Sequence, residues 1–167
     1  MSEQRKPVLT GGCQCGAVRY ALLARPDRVG ICHGRVCQKA VGGPFLRLGG
    51  DPEIDLAWTR GVPTQFASSS AADRGFCAQC GTPLTFRYLR RPEHIDVSLG
   101  SLDDPAAVVP TVAMGTESRL GWCGGLLPSA PEYPAGEHNQ AGFRPGPEPP
   151  SPRPRLWLAA PHPFTPA

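Results

Sequence analysis

Gly12-Cys13-Gln14-Cys15-Gly16 and, much later, Phe76-Cys77-Ala78-Gln79-Cys80-Gly81 are the stretches whose reading decides the fold. The first is a C-x-C knuckle and the second a C-x-x-C knuckle. Each can aim two sulfurs at one ion, and a glycine follows each pair where a tight turn favours positive φ. Together they supply the four thiolates of a closed tetrahedral zinc site. Such a site has no open position, so its expected role is structural. Two other readings compete. The cysteines could pack as small apolar residues, which the spacing disfavours. Cys77 and Cys80 could form a thioredoxin-like redox pair, but no βαβ pattern surrounds them and Cys13 and Cys15 would be left without a role.

Around the knuckles the chain reads as mainly β. Val18-Arg19-Tyr20-Ala21-Leu22 alternates after a Gly-rich turn. Similar runs are Phe45 to Leu48, Thr64 to Ala67, Leu84 to Tyr88 and Ile95 to Leu99, punctuated by Gly, Pro and Asp. The one short helix expected is Cys37 to Val41, stopped by Gly42-Gly43-Pro44, with a further turn at Asp103 to Ala107. These limits predict a flexible lead-in over 1–7, a zinc-binding domain over 8–134 and a tail over 135–167. Twelve of the 21 prolines lie between Pro128 and Ala167. Arg144 to Arg155 is half proline, so it can build neither a helix nor a sheet ladder, and the tail is expected to be disordered.

Composition excludes several classes. The net charge is only +3 and no Lys/Arg run forms a phosphate-binding stripe, so nucleic acid is not an expected partner. No apolar stretch of about 18 residues is present, so no membrane span is expected. Met1 to Lys6 is polar and lacks a signal peptide's apolar core. The expected compartment is the cytoplasm, where thiols stay reduced. Seven cysteines there read as metal ligands before disulfides.

A second cluster, Cys32-His33-Gly34-Arg35-Val36-Cys37, places two thiols five residues apart. Two ligands are too few for a tight metal site, and His33 points away from Cys32 on an extended chain. Two free thiols in a turn is an equal reading. Cys123 stands alone, and His94 packs or caps at a strand start.

Gly11 to Tyr20 resembles the opening motif of the glutathione-dependent formaldehyde-activating enzyme family, which includes centromere protein V. Cys32-His33 with Cys37-Gln38-Lys39, Gly42-Gly43-Pro44-Phe45, Ser68-Ser69-Ser70, Arg74 to Leu84 and Ser118 to Trp122 follow in the family's order. The resemblance implies a small fold of antiparallel sheets like methionine sulfoxide reductase B. It implies a structural zinc at Cys13, Cys15, Cys77 and Cys80, the four residues that spacing also selects. It further implies a catalytic zinc on three cysteines of a C-H-C-x-x-C motif, at Cys32, residue 34 and Cys37. Residue 34 here is glycine, so the middle ligand is missing.

The implied activity is addition of glutathione to formaldehyde, a carbon–sulfur lyase reaction when run in reverse. The expected partners are therefore a small-molecule thiol or aldehyde, glutathione among them. Gly34 keeps two alternatives open: a non-catalytic binding module with one zinc, and a redox protein using Cys32 and Cys37 as a dithiol. Arg19, Arg35 and Lys39 are cations that could meet glutathione's carboxylates, although each also reads as a solvated surface charge.

Overall fold

The alternating Arg19–Leu22 run forms a strand, and the knuckle before it makes the turn of a hairpin. The computed structural model describes residues 6–51, 56–125 and 132–133. In chain order the elements are β1 (Leu9–Gly12), β2 (Arg19–Leu22), β3 (Arg28–Cys32), α1 (Arg35–Val41), β4 (Leu46–Asp51) and β5 (Leu56–Arg60), followed by β6 (Thr64–Ser69), β7 (Ala72–Phe76), β8 (Pro83–Tyr88), β9 (Ile95–Ser98), β10 (Val112–Met114) and β11 (Glu132–Tyr133). The fold is mainly β, with one α-helix among the described residues. The lead-in before Lys6 and the proline-rich tail expected over 135–167 lie outside the described residues.

The strands form two sheets. A three-stranded antiparallel sheet runs β1-β2-β5. The larger one runs β11-β10-β3-β4-β9-β8-β7-β6. It is antiparallel except where β10 pairs in parallel with β3 and β11 in parallel with β10, so it is mixed. Close packing fixes the small hairpin. A Cβ on Gly11 would stand 2.5 Å from the Tyr20 ring and hydroxyl and 2.6 Å from the Ser101 carbonyl, so only glycine lets Tyr20 cross its partner strand. Tyr20 is 1% exposed, and its hydroxyl is 2.9 Å from Ser101 Oγ, which donates onward to the Ser98 carbonyl.

α1 begins two residues before the expected start because Gly34 stands at its N-cap, and it stops at Gly42, whose φ of 63° is the left-handed C-terminal signal. The turn expected at Asp103 to Ala107 is a 3-10 turn over Pro105–Ala107, capped by Asp104 Oδ1 accepting from the Ala106 N–H. β3 and β7 carry no clear strand signal in the sequence. Gly30 interrupts one, and Asp73, Arg74 and Gly75 give the other a polar look. Both are strands because neighbours pair on each side, and tertiary pairing outweighs local propensity.

Two apolar clusters carry the core. One gathers Tyr20, Leu22, Leu84, Val97 and Leu99 with Cys13 and Cys77. The other gathers Leu46, Leu48, Ala72 and Phe86 with Cys32 and Cys37. Each cysteine group thus sits against its own dry platform.

Candidate functional site

The first group is built by two matching turns. Gly16 and Gly81 both have φ of 76°, and their N–H groups donate to the carbonyls of Cys13 and Cys77 at 3.1 and 2.8 Å. The sequence expectation for these glycines rests on this left-handed turn. The knuckles are tied together where the Gln14 N–H donates to Thr82 Oγ1 at 3.1 Å, and Arg60 of β5 donates to the Gly16 carbonyl.

The four sulfurs of Cys13, Cys15, Cys77 and Cys80 all lie within 4.8 Å of one another and could hold one metal ion. Cys13 Sγ is 3.5 Å from Cys15 Sγ, which is 3.8 Å from Cys77 Sγ. A tetrahedron with metal–sulfur bonds of about 2.3 Å has edges of about 3.8 Å, so the spacing suits a four-thiolate zinc site. Electrostatics agrees. Hydrogen bonds from Thr82 draw Cys80 down to about 5. Cys15 has a backbone hydrogen bond to Ala17 that favours its thiolate, yet Cys13 and Cys80 push it up to about 12. Clustered thiols cannot all ionise unless a cation compensates them. The Val18 N–H donating to Cys13 Sγ at 3.2 Å completes a set of donors aimed at sulfur.

The second group lies at the other platform. Cys32 ends β3 and Cys37 sits in α1, and the two buried thiols share a hydrogen bond. That bond, with burial, pushes Cys32 far up. The same bond draws Cys37 down to about 6, and the charge and hydrogen bond of Arg74 reinforce it. Arg74 comes from β7 and is 6% exposed. Its Nη2 donates to Cys37 Sγ at 3.3 Å, its Nε donates to Ser68 Oγ at 3.0 Å, and its guanidinium lies 4.8 Å from the centre of the Phe86 ring. Sequence reading gives Arg74 no role of its own. The one signal that could have found it is its place three residues ahead of Cys77, in the Arg74-Gly75-Phe76-Cys77 run that carries the family resemblance.

Gln38 secures the loop that carries the pair. Its Nε2 donates to the His33 carbonyl at 2.6 Å and to the Ser118 carbonyl at 2.9 Å, and Arg35 donates to its Oε1. Gly34 lies between Cys32 and Cys37, and a Cβ there would meet only Cys32 Sγ, at 3.6 Å. The other cations named from sequence are placed elsewhere. Arg19 forms a two-pronged pair with Asp103 across the small sheet, and Lys39 is exposed on α1. His94 Nε2 is 3.6 Å from Asp96 Oδ1, and Cys123 is buried beside the exposed Trp122.

The model of the family described as "Glutathione-dependent formaldehyde-activating enzyme" matches residues 8–118. The chain belongs to this family. An uncharacterized lyase of Schizosaccharomyces pombe is 30% identical over 82 residues, 49% of this chain and 59% of the yeast protein. A putative glutathione-dependent formaldehyde-activating enzyme of Halomonas elongata is 25% identical over 124 residues, 69% of this chain and 79% of its own length. The chain therefore spans less than two thirds of the yeast relative it matches. A crystal structure of a Rhodobacter sphaeroides protein aligns with a TM-score of 0.46 and 24% identity, covering 61% of this chain and 98% of that one. No helix among the described residues is long and apolar enough to cross a membrane.

Proposed function

We propose that the chain is a zinc-dependent carbon–sulfur lyase acting on a thiol–aldehyde adduct such as S-hydroxymethylglutathione. In this reading Cys13, Cys15, Cys77 and Cys80 hold a structural zinc ion, and Cys32 and Cys37 mark the reacting site. The observation that carries it is the second thiol pair, buried and faced by Arg74, in a member of this family.

In the forward direction the thiol sulfur bonds to the aldehyde carbon and the thiol proton passes to the oxygen. In reverse the carbon–sulfur bond breaks and the hydroxyl proton returns to sulfur. Zinc bound by Cys32 and Cys37 would supply a Lewis acid and favour thiolate over thiol. The chain's own residues do the rest. Cys32 first, and Arg74 in addition, favour the ionised form of the Cys37 sulfur, and the Arg74 hydrogen bond fixes its direction. Gln38 locks the Cys32–Cys37 loop, so both sulfurs keep their spacing. The missing side chain at Gly34 leaves room next to Cys32 Sγ for an incoming sulfur.

The test is exchange spectroscopy on glutathione, formaldehyde and their adduct. Zinc-loaded protein is expected to speed interconversion above the spontaneous rate, with loss in Cys32→Ser and Cys37→Ser. Interconversion at the background rate overturns the proposal. Gly34 favours a second reading, a binding module with one zinc, because a ligand position lacks its sulfur. One zinc per chain with Cys32 and Cys37 open to thiol reagents supports that module. A reversible Cys32–Cys37 disulfide supports a dithiol redox protein instead.

A further inference from the structure

We infer that a cleft beside Cys37 receives an apolar substituent of the substrate, so that the adduct handled here carries an aromatic or branched group; this rests on the thiol–aldehyde chemistry proposed above. The cleft has a volume of about 290 Å³ and lies between α1 and the face of β7 with its neighbours β6 and β8. Ala40 forms its α1 wall, three residues after Cys37 and therefore on the same side of the helix. Arg74 forms part of the opposite wall and is the same residue that touches Cys37 Sγ. A group in the cleft is thus one side chain away from the thiol pair.

Its chemistry is apolar. Phe66, Phe76 and Pro83 supply most of the wall, with the two rings edge to face at 5.7 Å, and Gly75, Gly81 and Thr85 complete it. Phe66 is 46% exposed, a large aromatic surface left in water at the mouth of a cleft. Arg74 is the one charged side chain in the lining, and two of its five N–H groups are directed at Cys37 and Ser68 while its plane covers Phe86. Size points the same way. Formaldehyde is little larger than water, whose share of liquid volume is about 30 Å³, whereas this cleft approaches the lower end of small-molecule pockets, about 300 Å³.

The apolar group could stand on the aldehyde carbon or on the thiol, so the test has two arms. The whole zinc-loaded protein is first titrated with benzyl alcohol, an unreactive probe, and followed by amide nuclear magnetic resonance. Amide shifts centred on Ala40, Phe66, Gly75 and Phe76 are expected, with binding weakened about tenfold or more by Ala40→Phe, which fills the cleft, and by Phe66→Ala, which removes an exposed wall. Shifts centred elsewhere, or equal affinity in Phe66→Ala, overturn the inference. Turnover is then compared for benzaldehyde with 2-mercaptoethanol and for formaldehyde with benzyl mercaptan, each against formaldehyde with 2-mercaptoethanol. Preference for either benzyl adduct supports the cleft and says which half of the adduct enters it. Turnover without such preference overturns the cleft and leaves the lyase reading standing. Benzyl alcohol bound as expected with no adduct turned over supports the cleft as a binding site and removes the lyase reading.

Discussion

Arg74 Nη2 donates to Cys37 Sγ at 3.3 Å from within the core, a contact between the second strand from the edge of the large sheet and the single α-helix of the described residues. A guanidinium is always charged, so it favours the thiolate of Cys37, and it adds to the larger effect of the Cys32 hydrogen bond. With its pKa near 6, Cys37 is a thiolate at neutral pH and gains a proton as pH falls through that value. Arg74→Gln removes the charge. The pH profile of Cys37 alkylation by iodoacetamide, read by mass spectrometry with the four-cysteine site left loaded, should move to higher pH, and labelling just above the parent's midpoint should slow. An unmoved profile shows that Arg74 does not set the ionisation of Cys37.

Gly34 and Cys32 make a second prediction. A Cβ at residue 34 would stand 3.6 Å from Cys32 Sγ, an ordinary contact, and nothing else comes within 4 Å. The Cβ of Gly34→Cys is therefore free of clash, and the substitution carries a third sulfur into the vicinity of the pair. Three sulfurs with an open position suit a catalytic zinc. Zinc counted by plasma emission spectrometry should rise toward two per chain. A count unchanged from the parent protein shows that the surrounding pocket no longer accepts an ion.

The four-cysteine centre predicts dependence of the whole fold on metal. Cys13 and Cys77 are 64 positions apart and both lie in the larger apolar cluster, so the ion would close a long loop inside the core. Structural zinc sites contribute on the order of 10 kcal/mol in small domains, comparable to the whole stability of a domain. Cys80→Ser, or a strong chelator, should abolish the cooperative thermal melt seen by circular dichroism. A melt that survives both treatments removes the structural assignment.

How much of this was legible in the sequence depends on whether the cause was local. The knuckles were legible because four ligands and two glycines recur at fixed short spacing, and Gly16 and Gly81 adopt the same φ of 76°. The stop of α1 at Gly42 was legible for the same reason. β7 was not, because Asp73-Arg74-Gly75 has no apolar alternation and becomes a strand only through partners on both sides. The role of Arg74 was hidden with it, since its contact with Cys37 crosses 37 positions. The parallel pairing of β10 with β3 has no short-range signature either.

Asp103 yields a prediction about pH. Its carboxylate accepts from both prongs of Arg19 and from Thr10 Oγ1 at 2.6 Å, and these bonds, Arg19 first, hold it below the usual carboxylate range. A depressed carboxylate stabilises the fold above its unfolded pKa, about 3.9, and that contribution disappears as pH falls through the lower folded value. The pair is partly exposed, so the contribution is modest, about 0.2–1 kcal/mol, and screened by salt. Asp103→Asn should be slightly less stable than the parent in urea at neutral pH. The gap should close as pH drops below about 4, and a gap that persists well below that range would falsify the linkage.

Gly11 and Tyr20 give the strictest test of packing. β1 and β2 pair Gly11 with Tyr20, and the tyrosine ring lies over the glycine to reach Ser101. A methyl at residue 11 would meet the ring and hydroxyl at 2.5 Å and the Ser101 carbonyl at 2.6 Å. The carbonyl is backbone, and Tyr20 is enclosed by Trp58, 5.9 Å away edge to face, so neither neighbour yields without repacking. Gly11→Ala should therefore destabilise by about 1–3 kcal/mol, the range for overpacked cores, even though alanine ordinarily favours the folded state by restricting the unfolded chain. Tyr20→Phe separates the two contributions. It removes the hydroxyl bonded to Ser101 and part of the clash, so the alanine substitution should cost less in that background than in the parent. Equal costs in a double-mutant cycle read by urea melts would place the strain at the ring carbon and the Ser101 carbonyl and not at the ring hydroxyl.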